Sequence, residues 1–284
     1  MTSVTRDRIG EKPLYYTESD KSLIFGSEIK VILGNGVFKE PNMEVLDLYL
    51  SLSYIPAPHT FYKNIWKLEP GSYLIANKDG ILLRKYWDFP SLNEENMITE
   101  KEKVYKKFEE LFYDSVKLRM RSDVPFGAFL SGGLDSSSVV AIMSDIAEYP
   151  VETFTIGFQD KDFDERTIAK ELAIKFKANH HEYIVEPEDL EDALNKVSYH
   201  FDEPFGDSAA IPTGYVSKFA RQKVKMVLTG EGGDEVLAGY TSYQGEKFAY
   251  QFQNVFAGFV RSLIPALVKS LSRAFRGNVR FWLN

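Results

Sequence analysis

Apolar and polar positions follow two different rhythms along the chain, and the change of rhythm divides it. Residues 1 to about 90 read mainly as strands and turns. "KPLYYTE" and "SLIFGSE" are β-rich runs separated by "SDK", which predicts a hairpin. "EPGSYLIANKDGILLRKYWDF" predicts a second hairpin around an "NKDG" turn. Between them "MEVLDLYLSL" places Val45, Leu48 and Leu52 at helical spacing, so one helix is expected. "SYIPAPHT" reads as a Pro-rich loop, and the polar "SLNEENMITEKEK" as a linker. The boundary expected from this shift separates domains at 1–93 and 94–284.

From about residue 99 the period lengthens. "TEKEKVYKKFEELFYDSVKLRMRS" predicts a long amphipathic helix with Val104, Phe108, Leu111, Phe112 and Val116 on one face. Strands and helices then alternate. "VPFGAFL" leads into a helix from "SSSVVAIMSDIA", "VETFTIGF" into "DERTIAKELAIKFK", and "HHEYIV" into "EPEDLEDALNKVSYHF". A helix around "TGYVSKFARQK" precedes the strand "VKMVLTG". This order predicts an α/β fold, a mostly parallel sheet with helices on both faces. No fixed-period repeat is present.

Composition narrows the function classes. The net charge of -7 and pI near 5.3 argue against a general nucleic-acid binder, without removing the option of a local basic groove. With no cysteine, disulfides, Cys-ligated zinc and thiol nucleophiles are impossible in these residues. The polar start "MTSVTRDRIG" is not a signal peptide. The uncharged run "FAYQFQNVFAGFV" is too short to span a bilayer, so no stable membrane insertion is expected. The tail beyond it reads as an amphipathic helix bent near Pro265 and carrying Arg261, Lys269, Arg273 and Arg276. An interfacial helix or a helix lacking its packing partner both fit.

The chemistry concentrates in two glycine turns. "FLSGGLDSSS", residues 129 to 138, lies at a strand end just before a helix. Ligands of open α/β sheets bind beyond the carboxyl ends of the strands. Gly132 and Gly133 let the backbone approach a ligand, the helix start favours an anion, and Ser131, Ser136 and Ser137 add hydroxyls. No lysine follows the glycines, so this is not the usual kinase or GTPase loop. Asp135 would repel phosphate unless Mg²⁺ bridged them. The plainer alternative is a strand-to-helix turn with a capping serine.

"TGEGGDEVLAGY", residues 229 to 240, repeats the logic after its own strand. If the two strands are neighbours, both loops face one crevice, where Asp135 and Asp234 could share a Mg²⁺ and Glu231 could do acid–base or electrostatic work. Helix capping is the alternative for either loop alone. His180 and His181 abut a strand without a third ligand at metal spacing and read as a surface pair.

"SGGLDSS" resembles the pyrophosphate loop of the N-type ATP pyrophosphatases. "FLSGGLDSS", "TFTIGF", "DEPFGDSAAIPT" and "TGEGGDEVLAGY", in that order, resemble the synthetase domain of glutamine-hydrolysing asparagine synthetases. "RDRIGEKPLYY", "GSEIKVIL", "FYKNIWKLEPGSYL" and "YWDF" are similar to the distal half of that family's N-terminal-nucleophile glutaminase domain, an α+β fold. The resemblance covers residues from about 5 to about 250, as an internal piece of a longer enzyme.

The resemblance implies a cytoplasmic carbon–nitrogen ligase using ATP and Mg²⁺. Aspartate and ATP would give β-aspartyl-AMP and pyrophosphate, and ammonia, drawn from glutamine, would displace AMP. It implies Ser131, Gly132, Gly133, Asp135 and Ser136 as the pyrophosphate cradle. Phe129, Leu130, Ile156, Thr229 and Gly230 match the nucleoside site, Thr229 standing where the family usually has serine. Asp135 and Asp234 match the Mg²⁺ carboxylates, and Glu231 the glutamate needed for the intermediate and for ammonia. Asp202, Glu203 and Asp207 fall in a loop that would shape the aspartate pocket. Asp7 matches the residue gripping the glutamine α-ammonium, and reads equally as a turn residue before Gly10. The full-length relative admits a homodimer.

The pattern breaks at both ends. The family's cysteine nucleophile is absent, and neither Lys247 nor Lys269 sits in its distal lysine motif. The 284 residues are therefore expected to be inactive or poor catalysts alone. Two other readings remain: an ATP-binding remnant without catalysis, and an amidotransferase acting on another carboxylate, as in surface polysaccharide synthesis.

Overall fold

The computed structural model describes residues 1–19, 22–91, 93, 97–158, 164–186 and 189–255. The expected tail helix beyond residue 255, with Pro265 and its basic residues, lies outside them, as does the "DK" of the first turn. The chain forms two compact units, neither contiguous in sequence. The first comprises Met1–Leu118, Ile156–Asp164 and Glu182–Lys223; the second comprises Arg119–Thr155, Glu165–His181 and the chain from Val224 onward.

The first unit opens with two small antiparallel sheets. Strands β2 (Tyr15–Ser19) and β3 (Ser22–Gly26) form the first expected hairpin, with β4 (Trp66–Lys67) on the other edge of β2. Strands β5 (Ser72–Asn77) and β6 (Gly80–Lys85) form the second. A strand not foreseen, β1 (Thr2–Thr5), pairs antiparallel with β5. The expected helix is present as α2 (Leu46–Leu52), entered through a short 3₁₀ turn. A second short helix, α1 (Ile29–Leu33), buries Ile29 and Ile32 against Ile65. Helix α3 (Lys101–Arg119) forms as predicted, but only Val116 of its apolar face is buried; Val104, Phe108 and Leu111 are exposed.

The alternating half builds one sheet. Its strands are β7 (Phe126–Phe129), β8 (Glu152–Gly157), β9 (Asn179–Ile184) and β10 (Met226–Leu228), in the order β10-β7-β8-β9. β7 runs parallel to both β8 and β10. The helices are α4 (Leu134–Ile146), α5 (Arg166–Lys175), α6 (Asp189–Phe201), α7 (Ala210–Ala220), α8 (Gly233–Leu237) and α9 (Thr241–Val255). The fold is thus α/β with a parallel sheet. Ala128, Leu130, Val140, Met143 and Phe154 are fully buried in the second unit. Two buried threonines there are satisfied: Thr155 donates to the Leu130 carbonyl, and Thr153 bonds the His180 ring. Among the described residues no helix is long and apolar enough to cross a membrane.

Candidate functional site

The site grows out of the sheet's central strand. β7 delivers the chain to Leu130, whose N–H donates to the Phe154 carbonyl at 3.0 Å and whose side chain is buried. The backbone then leaves the sheet and turns into α4. Two serines brace the turn from inside. The Ser136 hydroxyl accepts the Ser131 N–H at 3.1 Å, and the two hydroxyls lie 2.8 Å apart. The Ser131 hydroxyl in turn accepts the Gly133 N–H at 3.1 Å.

No serine caps the helix. Gly133 is the N-cap residue, and among the described residues no side chain accepts from the first-turn amides. The first amides of an α-helix have no intrahelical acceptor, so those of Leu134, Asp135 and Ser136 stand at the positive end of a 13-residue dipole. That arrangement suits an anionic ligand.

The second glycine loop meets this turn, because β10 pairs with β7 with Leu228 beside Ala128. The contact needs glycine. A Cβ at Gly230 would fall 2.6 Å from the Ser136 nitrogen, and one at Gly233 would fall 2.6 Å from Asp135 Oδ2. Gly233 opens α8, which carries Asp234 in its first turn. Glu231 is exposed just before it, and its N–H leans on the Thr229 hydroxyl at 3.4 Å.

Among the described residues neither the Asp135 nor the Glu231 side chain has a hydrogen-bond or ion-pair partner. No group of three or more His, Cys, Asp or Glu side chains there is arranged to hold a metal ion. The carboxylates among the described residues form no dedicated protein cage for a metal. Mg²⁺ is usually held by one or two carboxylates, with substrate phosphates and water completing its shell.

The remaining candidates stand in other surroundings. Phe129 ends β7, half-buried. Ile156 belongs to the first unit and packs against the cluster of Val185, Ala193 and Tyr215. Asp202 adopts a left-handed conformation, φ 62°, which turns its carboxylate onto Lys30: Oδ2 accepts the Lys30 N–H at 3.0 Å and lies 3.1 Å from its ammonium. Glu203 pairs with Lys67 at 2.5 Å and accepts the Phe61 N–H at 3.0 Å. Burial pushes its carboxyl above the ordinary value, against the opposing pull of Lys67. Asp207 accepts the Ala209 N–H at 2.8 Å ahead of α7.

Asp7 organises a turn. Its two oxygens accept the N–H groups of Gly10, Glu11 and Lys12 at 2.7, 2.9 and 3.0 Å. Burial alone would raise its pKa, but these donors and the Arg6 charge together leave it below the ordinary value. His181 bonds Glu152 at 2.5 Å.

Sequence reasoning passed over three residues. Lys30 and Lys67 carry no local signal, because their partners lie far along the chain. Glu165 hides in "DERTIAK", where it reads as a helix opening, yet its carboxylate accepts the Gly132 N–H at 3.1 Å.

Comparison with known proteins gives this geometry a context. The family model described as asparagine synthase matches residues 107–282, and that described as glutamine amidotransferase domain matches residues 1–87. A putative glutamine-hydrolyzing asparagine synthetase of Methanocaldococcus jannaschii is 44% identical over 245 residues, covering 84% of this chain and 47% of the relative. Asparagine synthetase 1 of Bacillus subtilis is 36% identical over 261 residues, covering 91% and 40%. An amidase of Penicillium rubens is 30% identical over 259 residues, covering 85% and 38%. The chain spans less than half the length of each of these relatives. Since a single family model accounts for most of the chain, both glycine turns included, the chain belongs to the asparagine synthase family.

Proposed function

We propose that the chain carries the ATP-using part of a glutamine-hydrolysing asparagine synthetase. The observation that carries this reading is the meeting of the two glycine loops at Asp135, over a helix start with no cap of its own. In this reading residues 94–284 form the synthetase domain and residues 1–93 a partial glutaminase domain. The α4 amides, with Ser131, Gly132, Gly133 and Ser136, receive the β and γ phosphates of ATP. The α-phosphorus is then exposed to the carboxylate of aspartate. Phe129, Leu130, Thr229 and Gly230 surround the nucleoside.

Asp135 and Asp234 would hold Mg²⁺, which when bound offsets negative charge on the phosphate oxygens. Glu231 takes the proton that ammonium must lose before its nitrogen attacks β-aspartyl-AMP. Asp202, Glu203 and Asp207 support the aspartate pocket from the loop that contains them, and Asp7 anchors a glutamine ammonium. These 284 residues have no thiol, so they release no glutamate from glutamine by cysteine chemistry. The setting is cytoplasmic, and the reading admits a homodimer of the full-length protein.

Calorimetric titration of ATP with and without Mg²⁺ tests the assignment. Asp135→Asn is expected to weaken Mg²⁺-ATP markedly and metal-free ATP little. Equal losses for both would remove Asp135 from the metal site.

A further inference from the structure

The turn between β7 and α4 already holds an anion of its own. Glu165, the residue at the start of α5, places Oε2 3.1 Å from the Gly132 nitrogen. The same helix also touches the turn through Ile168: a Cβ at Gly132 would lie 3.3 Å from the Ile168 Cβ. The neighbouring amides are held differently. Ser131 and Gly133 donate to the neutral hydroxyls of Ser136 and Ser131. Only Gly132, of these three, donates to a charged group from another element.

We propose that Glu165 is a positioning residue that competes with the phosphate chain for the Gly132 amide. This rests on reading the turn as the phosphate site of ATP. A single N–H serves one good acceptor at a time, so a phosphate oxygen arriving at Gly132 displaces the Glu165 carboxylate. The displaced carboxylate stays close by, tied through α5 and the Ile168 contact. Its negative charge then opposes the anion that replaced it. The effect bears most on pyrophosphate, because that product keeps only its phosphate contacts once the nucleotide is cleaved. Glu165 holds the turn in its receiving shape when no ligand is bound, and it lowers the affinity for the leaving product.

The test is a calorimetric titration of Mg²⁺-pyrophosphate into the 284-residue chain and its Glu165→Gln and Glu165→Ala variants, at low and high salt. Both variants are expected to bind about three- to fivefold tighter at low salt, the upper range for one exposed charge pair. The gain is expected to shrink at high salt, because exposed charges are screened. A purely structural role for Glu165 would give weaker binding, or a change indifferent to salt. Equal or weaker binding in both variants, with wild-type binding intact, overturns the proposal, and so does a gain that salt leaves unchanged. If neither the wild type nor either variant binds pyrophosphate, the phosphate-site reading itself fails and this inference falls with it.

Discussion

Carboxylates near Lys30 and Lys67 and carboxylates at the glycine loops are treated in opposite ways. Asp202 and Glu203 are largely buried, and each has both a lysine and a backbone N–H. Asp135 and Glu231 have no such partner among the described residues, although Asp135 sits between two tightly approaching backbone segments. The first pair is held by partners inside the protein, so it helps fix the loop from Asp202 to Gly206. The second pair keeps its lone pairs open. A carboxylate kept without a protein partner beside a helix start remains open to water or to a cation.

The sharpest way to break this comparison is to remove a partner where one exists. Lys67→Met leaves Glu203 buried without its cation, and the expected cost is about 3–5 kcal/mol in thermal or denaturant unfolding. By contrast Asp135→Asn and Glu231→Gln should change stability by no more than about 0.5 kcal/mol. Comparable losses in all three would erase the distinction between partnered and reserved carboxylates.

A smaller effect is expected from adding one methyl group at the loop junction. Gly230→Ala places a Cβ 2.6 Å from the Ser136 backbone nitrogen. Overpacking of this kind costs about 1–3 kcal/mol, and Mg²⁺-ATP affinity should fall alongside. A variant with unaltered stability and affinity would show that the two loops do not need their close approach.

The smallest expected effect is a pH dependence. Burial raises the Glu203 carboxyl above its ordinary 4.5 in the folded state. The folded protein therefore binds more protons than the unfolded chain just above pH 4.5, and stability falls as pH rises through that window. Glu203→Gln should flatten that part of the stability curve. An unchanged slope in the variant would assign the dependence to another group.

Much of the site was readable because its demands are local. Glycines beside an aspartate at a strand end announce a backbone that must approach something closely, and the alternation of strands and helices places that end on a parallel sheet. The pairing of β7 with β10 meets the condition under which the two loops come together. Strand β1 was less visible: Val4 is the only apolar side chain in Thr2–Thr5, and its pairing with β5 is decided by a partner distant in sequence. Lys30 and Lys67 look like ordinary surface lysines until the fold brings Asp202 and Glu203 to them. The apolar face of α3 was read from period alone, which says where a stripe lies but not what covers it; only Val116 is buried. Glu165 was read as part of a helix opening, because nothing in "DERTIAK" reveals which loop the helix start will touch.

The place of β10 beside β7 has a consequence for biosynthesis. Phe126–Ala128 leaves the ribosome long before Met226–Leu228, so one edge of the central strand waits unpaired while α4 through α7 are being made. Such an edge is a template for wrong pairing, and partly folded chains expose it during synthesis. The turn between β7 and α4 can take shape early, from local contacts between Ser131 and Ser136. Its opposing wall, Gly230 to Gly233, arrives only with β10. Completion of the crevice is therefore a late event in the life of each newly made chain, set by the distance along the gene between its two halves.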